Sequence, residues 1–357
     1  MKIVHLLLTH SFAGTERHAV ELANAQSERH DVTMILHRRA AEDRPNAIAH
    51  RLDARVRQVL VGGWRFFAVR SARRALRALA PDVAHAHLSS GCRVLHGLRG
   101  HCLRVATLHI EYKKQQHRDM DALIAIAPWQ LNGVPAEQRP HTVQIDNWVQ
   151  CQPAAADARA RLRQTYGLCE SDYVIGALGR TEASKGLDEL LDAFGAAALG
   201  ERVRLVIVGH GRHWQDLRRR APPSVVMPGF VARPQDWFAC FDAFVSAARS
   251  EPFGLVFLEA MAAGLPVLAT ASQGGEHLRE LIERPLLPVR DVGVLTSALR
   301  QLALQRPPRK SYDLSAYSYL EKVAAVEEFY SREIFELAGR AAQPGAAKLD
   351  FDADADT

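Results

Sequence analysis

The sequence contains 357 residues, 48% of them hydrophobic and 24% charged, with a formal net charge of +5. This size and composition indicate two domains with packed cores and exclude general disorder. No apolar run reaches the roughly 18 residues that a membrane span needs. The five cysteines form no C-x-x-C pair, so neither a disulfide framework nor a cysteine zinc site is expected.

Charge divides the sequence unevenly. Residues 1–150 hold 21 Lys and Arg but 13 Asp and Glu, a balance of +8, whereas the remainder has a balance of −3. A basic half beside a nearly neutral half favours an anionic partner, either lipid headgroups or nucleic acid.

The first half alternates predicted strands and helices. Helical patterns include 16–28 and 69–79. Short runs of Val, Ile, Leu and Ala, which are typical of parallel strands covered by helices, predict strands at 2–9, 31–37, 56–61, 82–87, 104–109, 122–127 and 142–146. Polar Thr9, His10 and Ser11 follow the first run where a signal peptide would have small residues. The N-terminus is therefore predicted to be the first strand of a cytoplasmic protein.

The second half restarts the same alternation. A helix is predicted at 187–198, and strands at 173–179, 203–209, 225–227, 243–247 and 266–270. This pattern predicts an α/β fold with two Rossmann-like domains facing across a cleft. The predicted parts are a first domain at 1–150, a second domain at 151–316, an amphipathic C-terminal helix at 317–340 that crosses back, and a disordered acidic tail at 341–357.

Two patterns could bind a metal, but they are interpreted as a solvated tail and as the end of a strand. The D-x-D series from Asp350 to Asp356 would need a rigid strand end to hold a metal beside a diphosphate, but it lies in the predicted tail. His85 and His87 end a predicted strand, and no carboxylate or thiol partner for them is evident. No metal is therefore expected.

The sequence G-R-T-E-A-S-K-G at 179–186 lies between a predicted strand and a predicted helix. Gly179 allows the backbone to turn sharply at the end of the strand. Arg180 and Lys185 then present two cations at the crevice where α/β domains bind ligands. A guanidinium fork and a mobile ammonium suit a diphosphate; a solvated turn with incidental basic residues is the alternative.

A longer motif, S-E-P-F-G-L-V-F-L-E-A-M-A-A-G-L-P, occupies 250–266 after another predicted strand. A helix is expected to begin near residues 253–254 and to end at Gly264. Its first amides can receive phosphate or sugar oxygens. Glu251 precedes the helix, and Glu259 is expected to be buried in its apolar middle. A buried carboxylate requires partners, either ribose hydroxyls or groups of the protein itself.

The E-x7-E spacing of Glu251 and Glu259, with Arg180 and Lys185 upstream, resembles the retaining GT-B glycosyltransferases of family GT4. The resemblance covers nearly the whole sequence. It implies that Arg180 and Lys185 hold the diphosphate of a nucleotide-sugar donor, that Glu259 binds the ribose, and that Glu251 faces the transferred sugar or its phosphates. The other donor-contacting residues that it implies in this half are Gly179, Gly209, Gly211, Phe230, Val231, Phe253, Gly254 and Leu255, with Phe230 and Val231 near the base.

The N-terminal match is looser. The sequence F-A-G-T-E-R at 12–17 resembles the family's first loop, which often carries two adjacent glycines; here Ala13 takes one of those places beside Gly14, the residue expected to contact the donor. His109 resembles the family's acceptor-side histidine near the reacting sugar, and Asn147 resembles an interdomain asparagine. The catalytic residues that the resemblance implies are His109, Arg180, Lys185 and Glu251.

The reaction implied by the resemblance moves a sugar from a nucleotide diphosphate, with UDP the first expectation, to a hydroxyl with retention of configuration. The departing phosphate would accept the proton on the same face, so no protein base, metal or cofactor is required. An inactive sugar-nucleotide-binding protein and a GT-B epimerase are the alternatives. A glycosidase, with carboxyls about 5–5.5 Å apart, needs no diphosphate clamp. A dinucleotide oxidoreductase needs a third glycine after Gly209 and Gly211.

Arginines and aromatic residues alternate in and just before the helix predicted at 69–79. The arginines are Arg65, Arg70, Arg73, Arg74 and Arg77, the last four on one helical face. Such a face is suited to an anionic bilayer; an ordinary exposed helix is the alternative, and no nucleic-acid module accompanies it. The sequence therefore predicts peripheral association with the inner face of a bacterial membrane and a lipid-linked or glycan acceptor, such as lipopolysaccharide or another cell-envelope glycan.

Overall fold

The computed structural model describes residues 1–150 and 152–342. They form two compact units. The first unit comprises Met1–Ile126, Gln130–Ile145 and residues 320–342, and the second comprises Ala127–Trp129 and Asp146–Tyr319. From residue 343 on, the predicted acidic tail and its D-x-D series lie outside the described residues.

The first unit is built on a parallel sheet of seven strands. The strands are β1 (Lys2–Leu7), β2 (Asp31–His37), β3 (Arg57–Val61), β4 (Val83–His87), β5 (Leu103–Leu108), β6 (Ala122–Ala125) and β7 (Thr142–Gln144), in the order β3-β2-β1-β4-β5-β6-β7. Helices α1 (Gly14–Gln26), α2 (Arg65–Leu79), α3 (Leu88–Leu95) and α4 (Lys114–His117) connect them. Every residue of β4 and β5 is buried, as is typical of central parallel strands covered on both faces.

The second unit repeats this plan with five parallel strands. They are β8 (Tyr173–Leu178), β9 (Val203–Val208), β10 (Val225–Gly229), β11 (Ala243–Ser246) and β12 (Val267–Ala269), in the order β10-β9-β8-β11-β12. The helices of this unit are α5 (Ala158–Thr165), α6 (Leu187–Ala197), α7 (Trp214–Arg220), α8 (Pro234–Cys240), α9 (Leu255–Ala262), α10 (Gln273–His277), α11 (Arg279–Ile282) and α12 (Val292–Gln305). The predicted α/β fold with two parallel sheets is therefore confirmed.

A long helix, α13 (Tyr319–Ala342), follows the second unit in the sequence but packs on the first. Tyr330 of this helix is fully buried. The Arg29 guanidinium donates to Glu327 Oε2 at 2.7 Å. Glu333 is buried, and its Oε2 lies 2.9 Å from His141 Nδ1. The expectation that the C-terminal helix crosses back is thus confirmed. None of the helices in the described ranges combines the length and apolar character that crossing a bilayer requires.

Candidate functional site

Three adjacent strands of the second unit end in glycine, which leaves a floor of bare backbone. Gly179 follows β8, Gly209 follows β9 and Gly229 ends β10. The Gly209 amide donates to the Gly229 carbonyl at 2.8 Å, and the Gly179 amide donates to the Val208 carbonyl at 3.0 Å. A Cβ on Gly209 would lie 1.9 Å from the Gly179 oxygen, and Gly209 has φ +130°. No larger residue fits there.

Gly211 packs just as closely against the loop after β8. A Cβ on Gly211 would lie 2.9 Å from both the amide nitrogen and the Oγ1 of Thr181. The Thr181 amide donates to the His210 carbonyl at 3.2 Å, so the two loops are tied together. The predicted glycines Gly179, Gly209 and Gly211 therefore meet at the carboxyl ends of the strands, where parallel α/β sheets bind ligands.

Two buried polar atoms beside this floor are functional candidates that sequence reasoning missed. Thr181 Oγ1 and Trp214 Nε1 have no hydrogen-bond partner among the described residues. The Trp214 indole stacks on His210, with 5.1 Å between ring centroids, and Nε1 lies 3.8 Å from where a Gly229 Cβ would be. Buried polar atoms normally have partners, so these two unpaired atoms single out the surroundings of the floor for a functional role. No sequence pattern indicated Trp214, because it is an isolated aromatic residue at a helix start.

The two predicted cations differ in their surroundings. Arg180 is exposed, and its guanidinium has no hydrogen bond or ion pair with the described part of the chain. Lys185 instead forms an ion pair with Glu251 Oε2. The aliphatic part of the Lys185 side chain packs on Gly179, since its Cε lies 3.7 Å from the position that a Cβ on this glycine would occupy. The structure thus brings Arg180, Lys185 and Glu251 to the end of β8, and it adds a Lys185–Glu251 pair that the sequence did not indicate.

Glycines allow α9 to begin beside Glu251. Gly254 caps the helix with φ +99°, a backbone conformation that favours glycine. Its amide donates to Glu251 Oε1 at 3.3 Å, which joins the start of the helix to that carboxylate. A Cβ on Gly274 would lie 2.8 Å from the Gly254 nitrogen, which shows how closely α10 packs on this turn. Leu255 is the first residue of α9.

The remaining predicted donor residues lie in different environments. Phe253 is 2% exposed, and its ring packs on His277 and Tyr317, so only its backbone can face a ligand. Phe230 is 48% exposed after β10, and Val231 is half-buried.

Glu259 is half-buried, which corrects the expectation of a buried carboxylate. Its neighbours Phe257, Leu258, Ala260 and Met261 turn toward the core of the unit instead. A carboxylate in this position retains access to solvent, so it does not carry the full cost of burial.

Two predicted site residues belong to the first unit. Gly14 begins α1, and the amide of Ala13 just before it donates to Glu16 Oε2 at 3.1 Å. Ala13 has φ −147°, an extended conformation that any residue adopts, so the loop does not require a second glycine. His109 follows β5 and is 7% exposed, and burial lowers its pKa to about 3. It is neutral at physiological pH.

His85 and His87 lie at the end of β4, as the sequence predicts. They lie in a buried group with His5 and His109, whose nitrogens form hydrogen bonds with one another and with other protein groups. The residues come from separate strands, so no local pattern could reveal the group.

Two family models of known proteins each match a different half of the chain. Residues 12–134 match the family model Glycosyltransferase Family 4, and residues 172–305 match the model Glycosyl transferases group 1. The α-monoglucosyldiacylglycerol synthase of Streptococcus pneumoniae is 28% identical over 186 residues, 47% of this chain and 41% of that protein. A GDP-mannose-dependent α-(1-6)-phosphatidylinositol monomannoside mannosyltransferase of Mycobacterium tuberculosis is 34% identical over 167 residues, 42% of this chain and 43% of that protein. The matched region thus spans less than half of these relatives.

Solved structures resemble the chain over nearly its full length. Anabaena HepE in complex with UDP and glucose has a TM-score of 0.71 at 19% identity, covering 96% of this chain and 99% of that one. WaaG, a glycosyltransferase involved in lipopolysaccharide biosynthesis, has a TM-score of 0.66 at 16% identity, covering 95% and 100%. These likenesses establish the GT-B fold. The two family models, which together match most of both halves of the chain, show that it belongs to the family 4 glycosyltransferases.

Proposed function

We propose that the protein transfers a sugar from a nucleotide-diphosphate sugar to a hydroxyl group, with retention and without a metal. The observation that carries this proposal is the exposed, unpaired guanidinium of Arg180 next to the glycine floor at Gly179, Gly209 and Gly229. Bare backbone allows close approach of a phosphate, and a free guanidinium can bind it bidentately.

Lys185 and Glu251 complete the proposed diphosphate site. The Lys185 ammonium has three donors, so it can keep Glu251 and also bind a phosphate oxygen. Glu251 uses one oxygen for Lys185 and the other for the Gly254 amide, which fixes the carboxylate at the start of α9. This anchoring supports a role for Glu251 in orienting the transferred sugar, since catalysis of this kind depends on positioning and charge stabilisation.

The donor is proposed to be a UDP-sugar. The base would lie near Phe230 and Val231, and the ribose near Glu259. The HepE structure, which holds UDP, supports this choice through its fold, while the mycobacterial relative uses GDP-mannose. A direct comparison of nucleotides is therefore part of the test.

We propose that no side chain of the protein acts as a base in the chemical step. His109 is the acceptor-side histidine by family resemblance, but burial holds its pKa near 3, so it is a poor proton acceptor at neutral pH. The departing diphosphate oxygen then takes the proton of the attacking hydroxyl. Arg180 and Lys185 stabilise the charge that grows on that diphosphate.

The acceptor is proposed to be a lipid-linked or cell-envelope glycan, such as lipopolysaccharide, at the inner face of the cytoplasmic membrane. On and just before α2, Trp64, Phe66 and Phe67 are 86%, 71% and 62% exposed. The helix also lines a cavity of about 580 Å³ with arginines 70, 73, 74 and 77. Neither they nor Arg65 has an ion pair with a described residue, a pattern suited to anionic headgroups.

Arg73 differs from the other arginines of α2. It is half-buried and donates to the carbonyls of Arg93 and Val94 at 2.8 and 3.1 Å, so part of its role is to hold α3. Lipid acceptors in the names of the two relatives support membrane contact. The proposed membrane contact is therefore assigned chiefly to the exposed arginines.

A sedimentation assay tests the membrane contact. Charge reversal of Arg70, Arg74 and Arg77 to Glu should lower binding to phosphatidylglycerol vesicles at least tenfold, since each basic residue contributes about 1 kcal/mol at an anionic surface. The matched control reverses three exposed arginines of α7, which are Arg218, Arg219 and Arg220. Equal losses in both variants would indicate general charge attraction and contradict a specific surface.

A transfer assay tests the enzymatic proposal. Wild-type protein with UDP-glucose and a lipid acceptor should release UDP and form a product with retained anomeric configuration. Nucleotide binding without any transfer would support an inactive binding protein, and a changed sugar without an acceptor would support an epimerase.

A further inference from the structure

Five histidines meet on one face of the first unit's sheet. His5 pairs in register with His85 across β1 and β4, and His87 pairs in register with Thr107 across β4 and β5. Alternate residues of a strand face the same side, so His87 and His109 continue this face. The fifth histidine is His18 of α1, and all five are buried.

Hydrogen bonds join three of these histidines in a line that begins at Gln26. Gln26 Oε1 lies 2.8 Å from His5 Nε2, His5 Nδ1 lies 3.1 Å from His87 Nε2, and His87 Nδ1 lies 3.2 Å from His109 Nε2. Gln26, His5 and His87 are fully buried. The outer end is His109 Nδ1, to which no described residue is hydrogen-bonded.

The direction of the hydrogen bonds follows from the orientation of the Gln26 amide. The structure places the Gln26 oxygen toward His5, and in this orientation His5 Nε2 carries a proton and donates it, because a carbonyl oxygen only accepts. A neutral imidazole has one protonated nitrogen, so His5 Nδ1 accepts from His87 Nε2, and His87 Nδ1 in turn accepts from His109 Nε2. The Nδ1 of His109 is left with a lone pair.

We propose that the Gln26–His5–His87 line fixes the tautomer of His109, so that its Nδ1 is always a hydrogen-bond acceptor. Gln26, His5 and His87 are then positioning residues. The role rests on the proposed function, in which His109 lies near the reacting sugar: Nδ1 accepts a hydrogen bond from a sugar or acceptor hydroxyl and orients it. The histidine line orients His109 and does not conduct protons, because its inner end is the side-chain amide of Gln26, which does not titrate.

The surroundings keep all three imidazoles neutral, as the tautomer assignment requires. Burial lowers the pKa of His5 to about 4 and that of His109 to about 3, and it lowers the pKa of His87 well below its ordinary value. The neighbouring imidazoles of His18 and His85 act on His87 in the same direction. His117 does so on His109.

Metal binding is the competing interpretation of this group. The nitrogens of His5, His85 and His87 lie within 4.8 Å of one another, as do those of His18, His87 and His109. Both nitrogens of His85 are already engaged, with Tyr330 Oη at 2.6 Å and Thr107 Oγ1 at 2.8 Å. Those of His5 and His87 are engaged within the line. A metal would have to break these bonds, so the hydrogen-bonded line accounts for the residues better.

Nitrogen-15 NMR of histidine-labelled protein tests the proposal. In the wild type at pH 7, His5, His87 and His109 should each show a protonated Nε2 and a bare Nδ1. Gln26→Met removes the acceptor at similar size and should leave His109 in mixed tautomers. Gln26→Glu restores an acceptor oxygen and should restore the single tautomer. Gln58→Met makes the same change on β3, outside the line, and should have no effect.

Kinetics provide the second measurement. Gln26→Met should lower kcat about tenfold, the scale of lost outer-shell partners, with the Kd for UDP unchanged, and Gln26→Glu should recover most of the loss. A protonated Nδ1 on wild-type His109, or unchanged tautomers in Gln26→Met, would overturn the proposal, as would stoichiometric Zn²⁺ binding that displaces these hydrogen bonds. If Gln26→Met fails to fold, the wild-type NMR spectrum alone tests the tautomer of His109. The NMR measurement requires no sugar transfer, so a wild type that shows the expected tautomers but transfers no sugar would contradict the proposed function and not the histidine line.

Discussion

Acidification from pH 7.5 to pH 5 should destabilise the first unit strongly. The buried histidines His5 and His117 have pKa values lowered to about 4, and that of His109 is lowered to about 3. In the unfolded chain each titrates near its ordinary value of 6.5. Between pH 6.5 and pH 4 the unfolded state therefore binds more protons than the folded state, and the free energy of unfolding falls as the pH falls.

The size of this effect follows from the pKa differences. At pH 5 each of these three histidines costs about 2 kcal/mol relative to pH 7.5, or about 6 kcal/mol together. Burial shifts the pKa values of His85 and His87 in the same direction. A loss of this size is comparable to the whole net stability of a domain, about 5–15 kcal/mol.

Amide hydrogen exchange in β1, β4 and β5, combined with urea unfolding at each pH, measures the loss within the first unit. His117→Asn removes one titrating group and keeps an acceptor for the Lys113 amide, which now donates to Nδ1 at 2.9 Å. It should reduce the pH-dependent loss of unfolding free energy by about 2 kcal/mol. His101→Asn is the control: it changes an exposed histidine and should leave the pH-dependent loss of stability unaltered. Equal protection of these strands at pH 7.5 and pH 5 would refute the reasoning.

Two substitutions test the second unit. Gly209→Ala places a Cβ 1.9 Å from the Gly179 oxygen at φ +130°, so urea unfolding should show a loss of about 2–4 kcal/mol; a loss below 1 kcal/mol would mean that the glycine floor adjusts freely. Glu251→Gln removes the charged partner of Lys185 and should lower the transfer rate about 100-fold, measured by UDP release, with the Kd for UDP changed less than threefold. A wild-type rate would exclude Glu251 from catalysis.

The sheets could be predicted from the sequence because parallel strands buried on both faces are continuous apolar runs. Each of the twelve predicted strands corresponds to a strand of the structure within a few residues, since turns rich in Gly, Pro and polar residues separate the runs. The glycines at 179, 209 and 211 could also be found locally. Each is needed by the backbone at its own position.

Contacts between distant residues could not be predicted in the same way. The histidine line joins positions 5, 26, 87 and 109, which meet because the strand order places β1, β4 and β5 side by side. The Lys185–Glu251 pair likewise joins loops that follow different strands. Glu259 was expected to be buried because its neighbours in sequence are apolar, but its position on α9 leaves it half-exposed.

Calorimetric titration with UDP, GDP and ADP tests the donor site most directly. Wild-type protein should bind UDP more tightly than the other two nucleotides, and an Arg180→Ala/Glu259→Ala variant should lose that binding at least 100-fold, as expected for removal of a charged phosphate contact and a ribose contact. Arg202→Ala changes an exposed arginine at the opposite ends of the same strands and should bind normally. Failure of the wild type to bind any of the three nucleotides, or equal binding by the double variant, would contradict the assignment of the site.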